Sequence, residues 1–134
     1  MLQLTQKQKF IVSEISVLAC AASVQRAKLY NSDLKPKNRR SVEFRAEILS
    51  FIKSELLPCY KSKCSETRHI ENIKMLVDFG TDIGKGLLCK DGYKFGVAQK
   101  LLNLLLKYLW CLGHIPEPPH CPVDRLILEK VSFR

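Results

Sequence analysis

Lys100, Asn103 and Lys107 recur at i, i+3 and i+7 along the most apolar stretch of the chain. That spacing brings three polar tips onto one face of a helix, where they can converge on a single anion. On a wheel of about 100° per residue, Val97, Leu101, Leu104, Leu105, Tyr108 and Leu112 fill one side, and Ala98, Leu102, Leu106 and Leu109 extend it. The polar remainder is a narrow strip of Gly96, Gln99, Lys100, Asn103, Lys107 and Trp110. The plainer reading makes this strip the solvent face of a mostly buried helix. The functional reading makes it a groove: Gln99, Lys100, Asn103 and Lys107 bind a ligand, Gly96 permits close approach and Trp110 offers a flat wall for stacking.

The segment after this helix, His114-Ile-Pro-Glu-Pro-Pro-His-Cys-Pro-Val-Asp124, is stiffened by its prolines. His120 is a candidate general acid or base, with Asp124 to orient it. The commoner fate of such an acid is to cap a helix or pair with Arg125 or Lys107. Cys111, His114, His120 and Cys121 have the element types of a zinc site. However, adjacent residues such as His120 and Cys121 rarely aim at one tetrahedral centre, so no metal and no cofactor is expected. Cys59 and Cys64 have a compatible gap, but no second cysteine pair completes a site.

The wording Ala98-Gln-Lys100, Asn103, Leu106-Lys-Tyr-Leu-Trp-Cys-Leu-Gly113, then Pro118-Pro-His-Cys-Pro-Val-Asp-Arg125 resembles the C-terminal core of a group of uncharacterised bacterial proteins of the accessory or mobile-gene type. The resemblance covers about the last forty residues. It implies a bacterial cytosolic origin and a shared core motif, with Gln99, Lys100, Asn103, Lys107, His120 and Asp124 as the matching residues. It implies no activity.

These groups need elements to hold them. Thr5, with Gln8 three residues on, reads as a capping box for a helix from about Gln6 to Leu29. Its small residues Ala19, Ala21, Ala22 and Ser23 would admit another helix closely. A basic connector follows, with Lys35, Lys37, Arg39 and Arg40 as its densest run. Ser41 reads as the cap of a helix that stops before Pro58. Ser65 caps a third helix ending at Gly80, with His69 as a plain surface or core histidine. A short fourth helix starts at Thr81-Asp82. The apolar helix spans about Lys94 to Leu112, and a closing helix begins near Pro122.

The fold expected for residues 1–134 is therefore a single compact all-α domain of roughly five or six helices around a central apolar helix near 94–112. With 134 residues, 46% hydrophobic and 26% charged, the chain can close a core unaided. Its six cysteines lie partly in apolar stretches (Cys20, Cys89, Cys111) and no signal peptide is evident, which suggests a reduced, cytoplasmic protein. No stretch is long and apolar enough to span a membrane. The formal charge of +9 favours an anionic partner, nucleic acid or a phosphorylated ligand. The leading expectation is a small basic binding module. An oligomeric or inhibitory interaction protein and a small enzyme using His120 on a nucleotide-like substrate are the alternatives.

Overall fold

The computed structural model describes residues 4–24, 39–88 and 92–119. Within them the chain is all-helical: α1 (Gln6–Ser23), α2 (Arg39–Phe51), α3 (Glu66–Ile83) and α4 (Phe95–Cys111). Between α2 and α3 the chain runs through one π-helical turn, Ile52–Leu56, and one 3-10 turn, Leu57–Tyr60.

Local chemistry sets the helix ends. Thr5 and Gln8 exchange both bonds of the capping box, with Thr5 N–H donating to Gln8 Oε1 at 2.9 Å and Gln8 N–H to Thr5 Oγ1 at 3.2 Å. Ser65 Oγ accepts from Arg68 N–H at 3.2 Å and starts α3. Gly113, at φ +81°, turns the chain after α4 at no steric cost.

α4 is the central rod. Val97, Ala98, Leu101, Leu102, Leu105, Leu106 and Leu109 are all buried, and α4 packs against α1 and α3. The small residues of α1 serve this contact: Ala19 is fully buried and Cys20 nearly so. Ser23 is also buried, whereas Ala22 is half-buried and Ala21 exposed. α2 is fixed by aromatic contacts, Phe44 edge-on to Tyr93 at 5.7 Å and Phe51 on Phe79, with the ring centroids 4.2 Å apart.

Several expectations are corrected. The described residues hold four α-helices. The short helix expected at Thr81 does not stand alone, because α3 runs straight through Gly80 to Ile83. Gly80 is no stop: it lies under Tyr93, and a Cβ there would sit 2.5 Å from the ring. α2 begins two residues before the expected cap, and Ser41 is buried inside it. The expected closing helix near Pro122, and Lys35 and Lys37 of the basic run, lie outside the described residues.

The chain also does not stop before Pro58. Proline has no N–H for the Ser54 carbonyl, and its ring would strike that group, so α geometry cannot continue. Instead the helix widens, with Leu57 N–H bonding Ile52 O, and then tightens into the 3-10 turn that contains Pro58. Ile52, Leu56 and Tyr60 stay on the inner face through this change, each at most 1% exposed.

The two helical glycines should respond oppositely to alanine. Alanine normally stabilises a helix relative to glycine by about 0.5–1 kcal/mol. Gly96→Ala, with nothing within 4 Å of its new Cβ, should gain about 0.5 kcal/mol of this. Gly80→Ala should lose about 1–3 kcal/mol, since the clash with Tyr93 outweighs the propensity gain. Urea denaturation of both variants measures the two signs.

Candidate functional site

Four polar side chains meet in the core where the 3-10 turn, α3 and α4 converge. Tyr60 comes from the turn, His69 and Asn72 from α3, and Asn103 from α4. All four are buried, and His69 and Asn72 are fully so. His69 Nε2 lies 2.7 Å from Asn103 Oδ1, and His69 Nδ1 lies 2.6 Å from the Tyr60 hydroxyl. Asn72 Nδ2 donates to the same hydroxyl at 3.0 Å.

The partners assign the protons. Asn103 Oδ1 can only accept, so Nε2 carries the hydrogen and Nδ1 is bare in the neutral ring. The Tyr60 hydroxyl then donates to Nδ1 and accepts from Asn72. The result is a one-way chain, Asn72 to Tyr60 to His69 to Asn103. Asn72 Oδ1 has no hydrogen-bond partner among the described residues.

His69 is 0% exposed, so no substrate reaches its ring. The arrangement acts as a clamp, joining the irregular segment to two helices with hydrogen bonds that are strong because the surroundings are dry. Sequence reasoning passed over Tyr60 and Asn72 and took His69 as ordinary. The available signal was polar residues at helical spacing, His69 and Asn72, on the inner side of an amphipathic helix, facing an asparagine in the most apolar one.

Of the residues expected to bind ligand, Asn103 departs from the rest. Asn103 is buried at 4% exposure and engaged by His69, so it does not belong to a solvent strip. A wheel counts polarity and cannot show that a polar side chain is satisfied inside. Lys100, Lys107 and Trp110 are exposed on the outside of α4, and Gln99 is half-buried. None of the five lines the groove described next. His120 and Asp124 lie outside the described residues, as does Cys121 of the zinc alternative. Among the described residues no group of three histidine, cysteine or acidic side chains is placed to hold a metal.

On the other side of the clamped segment lies an apolar groove of about 390 Å³. Its walls include Val12 of α1, Leu57 and Pro58 of the 3-10 turn, Leu109 of α4 and Ile115. Lys9, Lys53 and Lys61 stand at its edge, and no acidic residue among the described ones lines it. The volume falls within the roughly 300–1,000 Å³ of small-molecule sites. The π turn and 3-10 turn thus point Tyr60 inward to the clamp while turning Lys53, Leu57 and Lys61 to the groove.

No family model, curated protein or solved structure matches the chain. No helix among the described residues is long and apolar enough to cross a membrane.

Removing the central hydroxyl tests the clamp. Tyr60→Phe strips His69 Nδ1 and Asn72 Nδ2 of their partner, and leaving two buried groups unpaired should cost about 2–4 kcal/mol. Tyr108→Phe, on a half-buried residue of α4, should change stability by less than about 0.5 kcal/mol. Chemical denaturation at neutral pH compares the two.

Burial also makes the fold sensitive to alkali. It pushes the Cys20 thiol from 9.0 up to about 11, with Arg45 partly opposing. It likewise raises the Tyr60 phenol above its ordinary 10.0, against the Asn72 hydrogen bond. The folded state holds both protons more tightly than the unfolded state, so stability is full below the unfolded values and falls as pH rises through the folded ones. For Cys20 that window runs from 9.0 to about 11. Cys20→Ala should flatten the early part of this decline in a series of melts from neutral pH upward.

Proposed function

We propose that this chain is a small basic binding module whose ligand is an amphipathic anion, a single alkyl chain ending in a carboxylate, sulfate or phosphate. The observation that carries this reading is the apolar groove edged by Lys9, Lys53 and Lys61 and, among the described residues, by no acid. An apolar wall alone would take any hydrophobe. Three cations select one that ends in negative charge, and among the described residues no acid lines the groove and no ion pair engages them. The overall charge of +9 adds long-range attraction for the same ligands. Lysine suits such a head group, being a mobile point charge on an apolar stem that can lie along the groove wall.

A specific observation also supports the interaction-protein alternative. On the outer face of α1, Phe10 is 65%, Val17 63% and Leu18 58% exposed, and clustered apolar exposure of this kind is typical of contact surfaces. Its occupant would be a second copy of the chain. Light scattering across a dilution series reads that reading out separately.

Calorimetric titration of the full chain with dodecanoate, dodecanol and a short DNA duplex tests the leading proposal. Dodecanoate should bind more tightly than dodecanol. Lys53→Glu should weaken it about tenfold, the effect of about 1.4 kcal/mol at one site. Leu57→Asp should weaken both alkyl ligands. Duplex binding that falls steeply with salt, with no heat from dodecanoate, would replace the groove reading with a nucleic-acid one.

A further inference from the structure

The 3-10 turn and the start of α3 bring together two thiols and a guanidinium that neither the clamp nor the groove uses. Arg68 Nη2 donates to Cys59 Sγ at 3.5 Å. Cys64 immediately precedes the capping Ser65 and donates to the Ser65 carbonyl at 3.5 Å. Both thiols are half-buried and unbridged, and both interact electrostatically with Arg68 and with each other. Ser65 fixes the arrangement: its hydroxyl holds the Arg68 backbone, so the arginine side chain starts one turn into α3, beside the end of the 3-10 turn.

The geometry points to Cys59 and Cys64 as a peroxide-oxidised thiol pair, with Cys59 as the attacking sulfur and Cys64 as the resolving one. A metal fits the cluster poorly, because the group beside Cys59 is a permanent cation and no third ligand is present among the described residues. A nucleophilic sulfur fits it better, since the guanidinium hydrogen-bonds Cys59 directly.

The chemistry balances with a hydroperoxide as oxidant. The Cys59 thiolate attacks the terminal peroxide oxygen. An S–O bond forms, the O–O bond breaks, and the leaving oxygen takes up a proton as water or an alcohol. Cys59 is now a sulfenic acid. The Cys64 thiolate attacks its sulfur, an S–S bond forms, the S–O bond breaks, and hydroxide leaves as water after taking a proton. Two thiols and one hydroperoxide give one disulfide, one water and one further water or alcohol. Burial, and then the neighbouring Cys59, raise the Cys64 thiol above its ordinary value, with Arg68 partly opposing. Arg68 also faces Glu71 at 3.8 Å, an exposed pair that leaves its contact with Cys59 in place.

The full reduced chain, treated with one equivalent of hydrogen peroxide and mapped by peptide mass spectrometry, tests this. The expected main product is a Cys59–Cys64 bridge, with the exposed Cys111, which no arginine hydrogen bond reaches among the described residues, reacting about tenfold more slowly. Cys64→Ser should leave a dimedone-reactive sulfenic acid at Cys59. Arg68→Leu should slow oxidation of Cys59 about tenfold, and Arg68→Lys should restore much of the rate. Equal rates at Cys59 and Cys111, an unchanged rate in Arg68→Leu, or a Cys59 sulfenic acid that never links to Cys64 would each overturn the assignment.

Discussion

The structure turns on a hydrogen-bonded chain sealed in its core. Asn72, Tyr60, His69 and Asn103 must pair with one another, because an unpaired polar group buried there costs about 1–3 kcal/mol. That requirement fixes the relative positions of three elements that apolar packing alone would hold less specifically. Leucine side chains accept several similar arrangements. A tyrosine hydroxyl that must meet an imidazole nitrogen at 2.6 Å accepts far fewer.

The consequence reaches the surface through the irregular segment between α2 and α3. Pro58 forbids α geometry, the π turn and the 3-10 turn absorb the misfit, and Tyr60 ties the far end to α3 and α4. Held at both ends, the segment displays Lys53, Leu57 and Lys61 as one wall of the groove. The same turn carries Cys59 to Arg68. A helix without the proline would carry these side chains round on a regular spiral.

How much of this could be read from the residues depended on how local the cause was. The Thr5–Gln8 box, the Ser65 cap and the Gly113 turn are decided within a few residues, and α1, α3 and α4 start or stop where those signals place them. The apolar character of α4 marked it as central. Gly80 misled because a glycine near a helix end suggests a stop, whereas here it makes room for Tyr93, thirteen residues away. Asn103 misled for a similar reason: its partner, His69, lies on another helix, and the wheel of α4 holds no trace of it. The groove was least legible of all, since α1, the 3-10 turn, α4 and Ile115 each contribute a wall and none carries a motif.

Long-range proton–nitrogen NMR of the His69 imidazole at neutral pH tests the central claim most directly. The account requires a neutral ring with its hydrogen on Nε2, exchanging slowly with water, and a bare Nδ1 accepting from Tyr60. A ring protonated on Nδ1, or one that exchanges freely with solvent, would contradict it.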